Sequence, residues 1–212
     1  MKKLLVFLWA ILILAFSVPI YSMPVTAIDT AGNLTAALLR PGVTLEAYDK
    51  AIRLDPNNVY AYNNRGNAYF NLGQYQRAIE DYSQAVRVDS NHFDAYYNRG
   101  NAYLNLGQYQ QAIEDYDKAI RFDPKHVYAY NNRGLAYINL GQYQRAIEDY
   151  SQVLRLNPNF TFAYNNRGMS HLNLGREDRA CKDLQKACEL GECAGLNWAE
   201  KKGFCFVNDR RL

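Results

Sequence analysis

Four cysteines and three histidines carry the most reactive side chains of this 212-residue chain, and their spacing decides what chemistry is open to them. Cys181, Cys188, Cys193 and Cys205 are gathered toward the C-terminus, whereas His92, His126 and His171 are isolated from one another. No pair of them has the spacing of metal ligands, and no glycine-rich loop follows a strand to cradle a phosphate. Catalysis, a metal centre and a bound cofactor are therefore not expected. What remains is thiol oxidation and recognition by uncharged side chains, and both depend on the elements that hold these residues.

The beginning of the chain bears on the thiols. Lys2 and Lys3 precede an apolar run from Leu4 to Phe16, followed by Ser17, Pro19, Ser22 and Val25-Thr26-Ala27. A charged start, a short apolar stretch and a small-residue site read as a secretory signal peptide over residues 1–27, cut after Ala27 or near Ser22. The alternative is an uncleaved anchor, because Leu4 to Val25 is just long enough to cross a bilayer core of about 30 Å. Either reading exports the remainder to a periplasmic or extracellular space, with membrane contact only if the segment is retained. Such a compartment favours disulfides over free thiols or zinc. Without Lys2 and Lys3 the chain has 22 basic against 21 acidic side chains. It lacks the clustered positive charge of a nucleic-acid binder.

The 18 tyrosines against 2 tryptophans point to a copied unit, and aligning the chain on itself finds one of 34 residues at 59–92, 93–126, 127–160 and 161–194. Val59-Tyr60-Ala61-Tyr62-Asn63-Asn64-Arg65-Gly66 returns unchanged from Val127, and the run Asn71 to Tyr82 returns from Asn139. Each unit has two stretches of helical spacing: Tyr62, Gly66 and Tyr69 in the first, Ala78, Tyr82 and Ala85 in the second. Gly73 suits the end of the first helix. Asp55-Pro56, Asp123-Pro124 and Asn157-Pro158 close second helices, while Asp89-Ser90 is a weaker stop. Units of this size bury their apolar faces only by stacking.

The pattern Tyr62-x-x-Arg65-Gly66-x-x-Tyr69, then Ala78-x-x-x-Tyr82 and Ala85, resembles the tetratricopeptide repeat. The resemblance covers about 59–194 and reaches upstream through Tyr48 to Pro56, so residues 28–58 read as a degenerate N-terminal repeat. It implies an all-α solenoid of stacked antiparallel helix pairs, wound as a right-handed superhelix, and a non-catalytic scaffold for protein–protein interaction. Arg65, Arg99, Arg133 and Arg167 depart from the family, which has an apolar residue there. Folding two helices about Gly73-Gln74 sets Arg65 opposite Asp81, and likewise Arg99 opposite Asp115, Arg133 opposite Asp149 and Arg167 opposite Asp183. Four ion pairs with packed arginine stems are expected.

A second stripe on the first helices bears on function. It comprises Tyr60, Asn63, Asn64, Asn67, Phe70 and Asn71, then Asp94, Tyr97, Asn98, Asn101, Leu104 and Asn105, then Tyr128, Asn131, Asn132, Leu135, Ile138 and Asn139, then Phe162, Asn165, Asn166, Met169, Leu172 and Asn173. It contains 13 asparagines and one formal charge, Asp94. Asparagine is a poor helix former, by roughly half a kcal/mol against alanine, so something should compensate. An amide side chain complements an extended peptide backbone, and charge-poor aromatic surface suits an interface. By the resemblance, first helices line the concave surface and asparagines there form a peptide-binding ladder: Asn64, Asn98, Asn132 and Asn166, with Asn67 and Asn101 beside them. Leu135 and Met169 should make the groove more apolar toward its C-terminal half. The family's basic clamp for a terminal carboxylate is replaced by Asn. Two alternatives stand beside peptide binding: asparagines that bond to one another between units and stabilise stacking, and a structural protein that multimerises or spaces partners in the cell envelope.

The cysteines belong to the end of the array. Cys181 and Cys188 lie on one helix about 10.5 Å apart along its axis at 1.5 Å per residue, too far to pair. Ala194 to Lys202 reads as a last helix doubling back within a cap over 195–212. This arrangement predicts Cys181–Cys205 and Cys188–Cys193, with Cys181–Cys193 and Cys188–Cys205 as the other possibility. The helix bearing Trp198 then covers the last apolar face.

Overall fold

The computed structural model of the chain describes residues 41–205; the expected leader at 1–27, the first part of 28–58 and the end of the C-terminal tail lie outside them. Helices follow one another as α1 Pro41–Leu54, α2 Val59–Asn71, α3 Tyr75–Val88, α4 Phe93–Asn105, α5 Tyr109–Phe122, α6 Val127–Asn139, α7 Tyr143–Leu156, α8 Thr161–Asn173, α9 Glu177–Glu189 and α10 Ala194–Lys201. Among the described residues there is no strand, and no helix is long and apolar enough to cross a membrane. Consecutive helices pack against each other along the whole series.

Local chemistry dictates both kinds of joint. Between the helices of a unit, Gly73 sits at φ +72°, where a side chain would be strained. The amides of Gly73 and Gln74 donate to the carbonyls of Phe70 and Tyr69, both at 2.9 Å. These two bonds satisfy carbonyls that the helix end leaves open. Between units, the side chain of Asp55, Asp89, Asp123 or Asn157 accepts the backbone N–H two residues on, at 2.9 to 3.2 Å. That bond makes Asp89-Ser90 as good a stop as the proline-bearing joints, since it does not require proline.

Packing within a unit centres on one tyrosine. Tyr82, Tyr116 and Tyr150 are fully buried, each against the backbone of the preceding first helix. A Cβ on Gly66 would stand 2.6 Å from the Tyr82 ring. Ala61, Ala95, Ala129 and Ala163, together with Ile79, Ile113 and Ile147, add to the buried surface. These small and branched residues were not part of the stripe expected from helical spacing.

The four arginines form the expected pairs and more. Arg65 donates from Nε and Nη2 to Asp81 at 2.8 and 2.6 Å, a two-pronged contact repeated by Arg99 on Asp115, Arg133 on Asp149 and Arg167 on Asp183. The remaining nitrogen, Nη1, reaches back to the preceding second helix. It meets Asp49 at 2.6 Å, Ser83 at 3.0 Å, Asp117 at 2.6 Å and Ser151 at 3.1 Å in successive units. Each guanidinium also lies over the tyrosine three residues before it, at 5.4 to 5.8 Å from the ring centre. One arginine thus binds three helices and two units. Its bonds to Asp81 hold the Arg65 guanidinium charged, well above its ordinary pKa.

At the C-terminal end, α10 takes the place that a fifth first helix would occupy. Met169, Leu172, Leu184, Ala199 and Cys205 form one buried cluster, with Leu196, Trp198 and Phe204 against it. Disulfides join Cys181 to Cys205, with Cα atoms 5.5 Å apart, and Cys188 to Cys193 across the α9–α10 turn. Because α10 lies over them, Met169 and Leu172 are core residues of the cap. Met169 therefore adds no open apolar surface, which corrects the expectation at that position; Leu135 is half-buried.

The arginine network is testable by a double-mutant cycle on Arg99→Ala and Asp115→Ala. Either single change strands a buried charge and is expected to cost about 3 kcal/mol. The double variant should lose far less than the sum, with a coupling of about 1–3 kcal/mol read from urea unfolding.

Candidate functional site

The charge-poor stripe lies on first helices that touch one another directly, α2 with α4, α4 with α6 and α6 with α8, whereas neighbouring second helices approach less closely. An array whose first helices are nearer to each other bends toward them. The stripe is therefore on the inner side, and the structure divides its residues into three groups.

The first group is buried and committed to its neighbours. Asn63, Asn101 and Asn132 are buried. Asn98 donates to Asn63 at 3.1 Å, and Asn132 donates to Asn101 at 2.8 Å and to the Tyr97 hydroxyl at 3.4 Å. Asn131 donates to Asn132 at 2.9 Å. All but the last of these contacts cross from unit to unit, so the amides satisfy each other as the units stack. The second group is half-buried with side-chain capacity to spare: Asn64, and Asn67, which accepts from the Tyr82 hydroxyl at 2.7 Å and retains its NH2. Asn165 and Asn166 are half-buried, and the Asn165 side chain lies against Gly195 of the cap, where a Cβ would not fit. The third group is open: Tyr60 is 72% exposed, Tyr128 58% and Phe162 52%. Tyr97, expected among the groove tyrosines, instead packs against Tyr116 and His126, and burial raises its hydroxyl pKa.

Comparison with known families agrees with the fold. Family models for the tetratricopeptide repeat match residues 47–80, 93–126, 127–160 and 163–190, and a TPR repeat model matches 66–107. The chain is a tetratricopeptide repeat protein. Among solved structures, that of MamA is similar at 32% identity, over 75% of this chain and 88% of MamA, with a TM-score of 0.67. YrrB, described as a tetratricopeptide repeat protein with an unusual peptide-binding site, shares the fold at 24% identity over 78% of this chain and 86% of its own, TM-score 0.71. The first TPR of Spaghetti (RPAP3), bound to the HSP90 peptide SRMEEVD, is 30% identical over 57% of this chain and 96% of its own, TM-score 0.55. Comparison of the chain with curated proteins found no match.

Within this tetratricopeptide array two of the buried tyrosines bond to asparagines of the stripe. The Tyr82 and Tyr116 hydroxyls donate to Asn67 and Asn101. Leu135 stands at the equivalent position beneath Tyr150, whose buried hydroxyl has no well-formed partner, with the Asn166 amide in reach. In the last unit both members change, to Met169 and Leu184, and the polar demand disappears with them. The face-by-face reading of the sequence missed this coupling, because it assigned Asn67 and Asn101 to one face and Tyr82 and Tyr116 to another. It also passed over His92 and His126, which recur at the 34-residue spacing of Asn58 just before each first helix, the position of a helix N-cap.

Removing the two hydroxyls should have opposite consequences. Tyr116→Phe removes one of the two donors to the buried Asn101 Oδ1 and should cost about 1 kcal/mol, while Tyr150→Phe removes a buried group without a good partner and should be neutral or stabilising. Urea unfolding of both variants checks this.

Proposed function

We propose that the inner face of the array binds an extended peptide or protein segment, without catalysis. The observation that carries this reading is the exposure of Tyr60, Tyr128 and Phe162 along the same face as the uncommitted amide of Asn64, with Asp94 as the sole formal charge of the stripe. Large exposed aromatics supply contact area at low cost in side-chain entropy, and amides match the donors and acceptors of a peptide backbone. The RPAP3 repeat domain bound to an HSP90 peptide supports the reading, as a peptide-bound relative of this fold. The ligand differs in character, because the positions of the family's carboxylate clamp are asparagines here. An internal, uncharged segment fits better than a charged tail. The two disulfides support work in an oxidising, exported setting.

A second reading rests on the amides that bond between units: Asn63, Asn98, Asn101 and Asn132. They serve stacking, as they would in a structural protein of the cell envelope with no discrete ligand site. For this reason the test leaves them intact.

A displayed library of extended peptides selected on the exported chain should yield binders. Their affinity, measured by fluorescence anisotropy, should fall about tenfold or more in the Tyr60→Ala/Tyr128→Ala variant with the unfolding midpoint unchanged, and should vary little with salt. Failure to enrich any peptide, together with concentration-dependent multimers, would favour the structural reading.

A further inference from the structure

We infer that His92 and His126 form an acid-sensitive switch that holds the two central first helices at neutral pH and releases their N-terminal turns on acidification. The residue before each first helix is Asn58, His92, His126 and Phe160 in turn. Asn58 caps α2 by accepting the Ala61 N–H through Oδ1 at 2.9 Å, a bond that no titration touches. His92 and His126 perform the same task through Nδ1, accepting from Ala95 at 3.2 Å and Ala129 at 3.0 Å. Phe160 makes no side-chain cap.

An imidazole nitrogen accepts a hydrogen bond only while it carries its lone pair, so both rings must be neutral with the proton on Nε2. A second proton, added at Nδ1, turns the acceptor into a donor facing another donor. The cap is lost at fully buried Ala95 and Ala129, and a positive charge is placed at the positive end of the helix. The surroundings add to this. Phe93, Tyr97 and Tyr128 enclose the His126 ring at 4.7, 4.8 and 6.1 Å, and Tyr60 packs on His92 at 5.6 Å. Asp123 on its own turn and Asp94 on α4 favour the His126 cation, but burial outweighs them and lowers its pKa. Lys125 adjoins His126 in the chain, and Asp89 and Asp94 flank His92.

The direction in pH follows. At His126 the folded state disfavours the proton, so the unfolded chain binds it first. The His126 contribution is complete above the ordinary imidazole value of about 6.5 and is lost as pH falls through it toward the lower folded value. Tyr128, open on the inner face, rests on the His126 ring, so the loosened turn includes a residue of the proposed groove. The switch itself does not depend on that groove binding a peptide.

Hydrogen exchange of the Ala61, Ala95 and Ala129 amides, corrected for the intrinsic effect of pH, tests the switch in the full chain. Between pH 7.5 and 5, opening at Ala95 and Ala129 should rise about fivefold, the loss of one cap, while Ala61 stays constant. In His92→Asn/His126→Asn, which copies the natural cap of α2, all three should be insensitive to pH. Imidazole nitrogen spectra should show the Nε2–H tautomer at pH 7.5. A Nδ1–H tautomer, an acid response equal at Ala61, or one that persists in the double variant would overturn the inference.

Discussion

The arginine fork is the constraint on which the rest of the array depends. A solenoid unit is too small to bury its own faces, so stability must pass between units. Apolar stacking does most of this, but it is non-directional and would tolerate slippage between near-identical repeats. Arg65, Arg99, Arg133 and Arg167 remove that freedom. Each bonds its own second helix through two prongs and the preceding second helix through the third. The geometry suits guanidinium, which is planar and offers donors in a fixed fork; lysine could not make all three contacts in this way. The reach-back partner alternates between Asp49 or Asp117 and Ser83 or Ser151. The guanidinium is ionised in all four, so the aspartate interfaces carry an ion pair and the serine interfaces a single charge-assisted bond to a neutral hydroxyl.

The inner face follows from this register. Once the units are fixed, asparagines of adjacent first helices come within hydrogen-bonding distance, and several satisfy each other rather than solvent. That arrangement accounts for the excess of a residue that disfavours helices: its intrinsic cost is offset by bonds that only stacked units can make. Asn101, one of these amides, also accepts from the buried Tyr116 hydroxyl, and Asn67 accepts from that of Tyr82. Stacking, packing and the inner surface share residues, and the surface left uncommitted is smaller than the asparagine count suggests. It centres on Asn64 and the exposed aromatics.

The ends of the helices show how close copies diverge. Six glycines with positive φ hold turns from Gly73 to Gly203, and Asx bonds hold the joints between units. The N-caps, in contrast, vary from Asn58 through His92 and His126 to Phe160. At the last unit the core itself changes, with Leu184 replacing tyrosine and α10 covering Met169 and Leu172 under a disulfide. A terminal unit has no successor to bury its face, so its side chains answer to the cap.

The sequence by itself determined the helix pairs, their 34-residue period, the joints at Gly73 and its copies, and the pairing of each arginine with the aspartate 16 residues on. These are local or periodic properties, set by backbone preference and by the geometry of two helices folded about a short turn. It also indicated which face is poor in charge. Only the tertiary structure decided which side chains of that face are committed to stacking. Asn63 and Asn64 are chain neighbours of one residue type, yet one is buried and bonded to the next unit while the other keeps its amide unspent. The difference arises from which side chain meets α4, and this depends on the angle and offset between units. Spacing along one helix does not encode that offset; packing between helices does.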